Sequence, residues 1–121
     1  MPAGHNIILI LTDQQRLSAV GAYGPTPCRT PNIDLLAAEG VRFETAYAAQ
    51  PVCSPERASL MTGLYSHAHG MSANVGELGC TMHHLHDTPS LLSRRLEESG
   101  FQLGYSGKWH LCPERDVVFG Q

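Results

Sequence analysis

Cys53, Arg57, Lys108 and His110 are the side chains of this sequence whose types and settings could carry out a reaction on an anion. Cys53 stands in Pro51-Val52-Cys53-Ser54-Pro55-Glu56-Arg57-Ala58-Ser59-Leu60-Met61-Thr62-Gly63, which reads as a loop delivering a cysteine to the first turn of a short helix. Ser54 is the expected N-cap, and Pro55 suits the first helical position, where a missing N–H is no loss. Gly63 is a suitable stop. So placed, Cys53 is expected to face unpaired backbone N–H groups and the Arg57 guanidinium, both of which favour negative charge. That is a place for a nucleophile or an anionic substrate. The plainer alternative is a buried thiol beside a proline turn, since cysteine outside disulfides is among the most buried residue types.

Two further segments bear on the choice. Asp13 and Gln14 follow an apolar run and offer a carboxylate and an amide oxygen, a donor pair suited to a hard cation. The alternative for Asp13 is a turn-forming or capping aspartate. Gly107-Lys108-Trp109-His110-Leu111 closes another apolar segment, either as a cationic, hydrogen-bonding site element or as a strand end with an exposed lysine and a half-buried tryptophan. His67 and His69 could bind a metal as a His-x-His pair but are read as structural or as supporting the site from behind. Asn74 could reach the site as a polar contact, on weaker grounds than the residues above. Cys80, His83, His84 and His86 are the one grouping that suggests zinc. No Cys-x-x-Cys half-site completes it, so a solvated histidine-rich loop is the preferred reading.

Elements able to position these residues follow from the apolar pattern. Residues 6–11 form a continuous β-branched run, expected as a strand buried on both faces of a parallel sheet, with Asp13 at its carboxyl end. Glycines and prolines make 17–29 an irregular connection. A helix is expected over 30–40, capped by Thr30, begun by Pro31, faced by Ile33, Leu36 and Ala37, and ended by Gly40. Residues 41–48 alternate as a second strand leading to the cysteine loop. Asp87-Thr88-Pro89 opens a helix over 90–99 closed by Gly100, and 101–106 form a strand that delivers Lys108 and His110. Alternating strands and helices predict an α/β fold with a mainly parallel sheet flanked by helices, in one domain without internal repeats.

Composition narrows the function classes. The 121 residues suffice for one modest domain. With 42% apolar and 16% charged residues and a net charge of −3, nothing draws the chain to nucleic acid. The longest apolar run is too short to span a bilayer, and the N-terminus lacks the basic region and cleavage site of a signal peptide, so a cytoplasmic protein without membrane association is expected. The four widely spaced cysteines are accordingly expected as thiols.

Taken together, Cys53-x-Pro55-x-Arg57 with its Ala-Ser-Leu-Met-Thr-Gly continuation, Asp13-Gln14 and Gly107-Lys108-Trp109-His110 resemble, in order, the motifs of the formylglycine-dependent sulfatases. The resemblance covers nearly all of residues 5–112 and implies an alkaline-phosphatase-like fold of which residues 1–121 are the N-terminal part of a single catalytic domain. It implies that Cys53 is oxidised by a formylglycine-generating enzyme to Cα-formylglycine. Asp13, Gln14 and the Cys53-derived group would be ligands of a divalent cation, Ca²⁺ before Mg²⁺ or Mn²⁺. Arg57, Lys108 and His110 would be catalytic, with Lys108 and His110 contacting the aldehyde hydrate and the sulfate oxygens. The substrate is then a small-molecule or carbohydrate sulfate ester. In the implied reaction, one hydroxyl of the hydrate attacks sulfur and the second expels sulfate, a step an ordinary serine cannot perform. Gln14 departs from the family's usual second aspartate. That departure keeps a phosphonate or phosphate ester hydrolase of the same superfamily as an alternative, beside a non-catalytic metal-binding or interaction fragment. Further metal ligands of the family come from later sequence, so the 121-residue chain alone is expected to be inactive, weak in cation binding and prone to associate.

Overall fold

The computed structural model describes residues 4–113, which fall into two compact units, 7–47 and a second made of 4–6 together with 48–113. Each is described by itself.

In the first unit, two 3-10 turns, Leu17–Ala19 and Gly21–Tyr23, precede helix α1, Pro31–Glu39. Proline at the first position and Gly40 at the end delimit α1 where the sequence predicts. Thr30, however, makes no side-chain cap. Its hydroxyl accepts the Gly21 N–H at 2.8 Å and donates to Asp34 Oδ1 at 3.0 Å, while Asp34 Oδ1 also accepts the Ala22 N–H at 2.7 Å. These bonds seat the second 3-10 turn against α1. The approach is close enough that a Cβ on Gly21 would lie 2.6 Å from Asp34 Oδ2, so a larger residue there would displace the Asp34 carboxylate. Arg42 lies over the Tyr23 ring, 5.2 Å from its centroid, and donates to the Ala22 carbonyl.

The second unit holds helices α2 (Cys53–Thr62), α3 (Ser66–His69) and α4 (Leu92–Glu98). Its core is Ala58, Met71 and Leu111, packed by Met61, Val75, Met82, Leu85 and Trp109. A bond of 2.8 Å from the Leu85 N–H to the Leu111 carbonyl joins the histidine-rich loop to the segment after His110. Helix α4 is shorter than the predicted 90–99, because Asp87 pairs with Arg94 instead of capping and Leu91 takes the N-cap position.

Among the described residues no β-strand forms, so the predicted strands at 6–11, 41–48 and 101–106 carry no ladder. A strand is defined by its pairing, and a run such as 7–11 without a partner stays exposed: Ile8 is 83% accessible. Ile33 and Leu36, the predicted inner face of α1, are exposed as well. Also among the described residues, no helix is long and apolar enough to cross a membrane.

Candidate active site

Helix α2 begins at Cys53, two residues before its predicted start at Pro55. Val52, with extended backbone angles, is the N-cap, so Cys53 occupies the first helical position, Ser54 the second and Pro55 the third. Ser54 is therefore not the cap. Its side chain is fully buried, and its Oγ accepts the Val75 N–H at 3.2 Å. The Ser54 N–H, one of the donors a helix leaves over in its first turn, is taken by Asn74 Oδ1 at 3.0 Å. Pro55 has no N–H to offer. The expectation that Cys53 faces unpaired first-turn N–H groups is thus corrected: the neighbouring donor is committed to Asn74. Glu56 Oε2 accepts the Gln50 N–H at 3.1 Å and fixes the chain entering the helix. Gly63, at φ 70°, ends the helix in the left-handed region as predicted.

Arg57 is 9% exposed, and its Nη1 donates to the Lys108 carbonyl at 2.6 Å. A buried guanidinium needs such an acceptor, because leaving its charge unpaired away from water is costly. The Tyr105 hydroxyl donates to the same carbonyl, and the Tyr105 ring meets Trp109 edge-on at 5.2 Å. The helix carrying Cys53 and the segment carrying Lys108 and His110 are thereby held together across 51 residues of sequence. The Lys108 side chain is exposed, whereas His110 is half-buried, with an Nδ1 that is shielded and has no hydrogen-bond partner among the described residues. Its φ of 56° is left-handed.

Gln14, at φ 59°, shares that conformation, and it and His110 are the only non-glycine residues with positive φ among the described residues. Such angles cost about 1–3 kcal/mol each and concentrate at functional sites. Asp13 and Gln14 are both exposed in the first unit.

Behind α2, His69 is buried. Its Nδ1 accepts the Met71 N–H at 3.1 Å, which leaves the proton on Nε2, 3.1 Å from Ser59 Oγ. Burial lowers its pKa below the ordinary histidine value. His69 is thus a neutral strut between α3 and α2.

A protein-family model described as Sulfatase matches residues 5–116. The chain belongs to the sulfatase family. Among curated sulfatases it is 41% identical over 106 residues to the uncharacterized sulfatase YidJ of Escherichia coli (strain K12), covering 88% of this chain and 20% of that protein. It is 40% identical over 118 residues to the ulvan-active sulfatase of Formosa agariphila, covering 98% and 22%. Against human arylsulfatase D it is 39% identical over 109 residues, covering 87% and 18%. The chain therefore spans about a fifth of the length of these sulfatases. The α/β architecture follows from sulfatase membership.

Of the predicted site residues, the structure joins Arg57 to Lys108 through the latter's carbonyl and places Cys53 one turn ahead of Arg57 on α2. Within either unit, among the described residues, no three His, Cys, Asp or Glu side chains come together as a metal site. Cys80 is buried with its thiol donating to the Met82 carbonyl at 3.0 Å, and His83, His84 and His86 are exposed. None of the four cysteines is disulfide-bonded. Sequence reasoning missed Tyr105 and the Ser59–His69 pair, and it gave Asn74 only a general polar role. A polar side chain on the inner face of a short helix, as at Ser54 and Ser59, was the available signal, because such a group must find a partner when buried.

Proposed function

We propose that the protein to which this chain belongs is a sulfuric ester hydrolase whose nucleophile is Cα-formylglycine made from Cys53. The observation that supports this best is the 2.6 Å bond from Arg57 to the Lys108 carbonyl, because it couples the two segments that carry the proposed nucleophile and its cationic partners. Arg57 acts by holding Lys108 and His110 at that helix. The Lys108 ammonium draws in the anionic ester, and His110 hydrogen-bonds the sulfate or the hydrate. Its shielded Nδ1, without a partner among the described residues, fits that role, since a buried polar atom without a partner calls for one.

The donor set also suits a hard cation: Asp13 and Gln14 supply oxygen ligands, with the Cys53-derived group as a third, against the roughly six to eight that Ca²⁺ takes. When bound, the cation, Ca²⁺ before Mg²⁺ or Mn²⁺, offsets the negative charge of the ester and polarises its oxygens. The remaining ligands lie outside this chain, and the 121-residue chain alone is inactive on this reading. The names of the ulvan-active sulfatase and of an N-acetylglucosamine-6-O-sulfatase of Bacteroides thetaiotaomicron, 34% identical, favour a carbohydrate sulfate as substrate. Gln14, in place of a second carboxylate, is the one feature that favours a phosphonate or phosphate ester instead.

The test uses the full-length protein produced with a formylglycine-generating enzyme. The peptide containing Cys53 is expected to show the mass of the aldehyde, and Cys53→Ala to lower aryl sulfate turnover on the order of a thousandfold or more. Asp13→Ala is expected to abolish turnover and weaken Ca²⁺ binding in calorimetry. Turnover that persists in Cys53→Ala rules out the nucleophile, and faster turnover of an aryl phosphonate diester than of the sulfate selects the alternative. Metal-dependent turnover by residues 1–121 alone would show the site to be complete within them.

A further inference from the structure

The first turn of α2 is secured by residues 74 and 75, not by a cap of its own. Asn74 Oδ1 accepts the Ser54 N–H at 3.0 Å, and Ser54 Oγ in return accepts the Val75 N–H at 3.2 Å. Asn74 Nδ2 donates to Glu77 Oε1 at 3.0 Å, which sets which end of the amide faces the helix. The N-cap residue itself, Val52, has no side-chain oxygen to offer. Asn74 therefore does for α2 what a capping side chain does, from 20 residues away in sequence.

We propose that Asn74 is a positioning residue for Cys53. The proposal rests on the reading of Cys53 as the seat of the nucleophile. The N–H that Asn74 holds belongs to the peptide unit immediately following Cys53, so the bond fixes the ψ angle from which the Cys53 side chain projects. A neutral amide suits this place better than a carboxylate. It supplies the acceptor oxygen without adding negative charge beside a site meant for an anion, and its NH₂ keeps the Glu77 carboxylate occupied. Without Asn74 the first turn can fray and the reacting carbon shifts, and a shift of about 1 Å in a reacting group can cost about a hundredfold in rate.

The experiment compares full-length wild-type protein with Asn74→Ala and Asn74→Asp, each produced with a formylglycine-generating enzyme. Formylglycine occupancy is measured by mass spectrometry, and kcat and KM for an aryl sulfate are taken per modified molecule, well below each protein's unfolding midpoint. Asn74→Ala is expected to lower kcat by about tenfold or more with KM within about twofold. Asn74→Asp keeps the acceptor for the Ser54 N–H, and the exposed Glu77 side chain can turn away from the new carboxylate, so its kcat is expected within about threefold of wild type, with KM raised by the added negative charge. An unchanged kcat in Asn74→Ala overturns the proposal, as does a kcat loss in Asn74→Asp as large as that in Asn74→Ala. Should Asn74→Ala fail to fold, Asn74→Asp decides alone: retained kcat with raised KM supports the proposal, and a tenfold loss of kcat rejects it. Failure of the underlying reading shows separately, as wild-type protein without formylglycine or with turnover indifferent to Cys53→Ala.

Discussion

Around the Cys53 helix, polar side chains are buried, whereas in residues 7–11 large apolar ones are exposed. Ser54, Arg57, Ser59 and His69 are each less than 10% accessible, and each has a hydrogen-bond partner between 2.6 and 3.2 Å away. Ile8 and Ile10 are 83% and 76% accessible. The difference lies in where the partners come from. Most bonds around α2 join residues within about 20 positions of one another, so a short stretch of chain can complete them. An apolar strand completes nothing by itself, because its hydrogen bonds and both of its faces require neighbours.

The most severe disturbance of the ordered region is Met71→Ala. Met71 is fully buried against Ala58 and Leu111, and its truncation is expected to lower the local opening free energy of α2 by about 2–5 kcal/mol, read from hydrogen exchange of the helix amides. A loss below 1 kcal/mol would mean that bonds such as Arg57 to Lys108 hold the helix without its apolar core.

Ser59→Ala is expected to cost about 1 kcal/mol in the same measurement, since it removes one partner of the buried His69 ring. His69 also sets a pH dependence. Its pKa is lowered by burial, so the opened state binds the proton more readily than the folded one. Its contribution is present in full above its ordinary value of about 6.5 and is lost as pH falls through that value toward the folded-state pKa. Exchange of the α2 amides should therefore quicken on acidification beyond the intrinsic trend in wild type and not in His69→Gln. Equal profiles would remove His69 as the cause.

The smallest protection is expected at the other pole of the comparison. In the 121-residue chain, amides of residues 7–11 should exchange near the rate of an unstructured peptide while those in the middle of α2 are slowed. Strong protection at 7–11 would show that the run finds a partner in solution, such as a second copy of the chain.

Helix punctuation was readable in the sequence because it is local. Pro31 and Gly40 bracket α1, and Gly63 stops α2, each through the conformation of a single residue. The start of α2 lies two positions ahead of the one the sequence predicts, because Ser54 has two uses for its hydroxyl, capping and a distant backbone donor, and the choice depends on where Val75 lies. The strand signal at 7–11 was equally clear as a pattern, yet pairing is decided by other segments, and no ladder forms there. For the candidate site, the identities of Cys53, Arg57, Lys108 and His110 could be picked out from their neighbours. That Arg57 would spend a donor on a main-chain oxygen 51 residues away could not, because every residue carries the same carbonyl.

That same anonymity makes positions 57 and 108 independent of each other in one respect. Arg57 is moored to an oxygen that every amino acid provides, so exchanging the side chain at 108 leaves the mooring in place. A substitution at 57 removes the mooring itself; a substitution at 108 keeps the carbonyl that receives it. Mutational drift can therefore try one group after another at position 108, altering the charge and reach offered to an incoming anion, while the framework that holds the group is inherited unchanged.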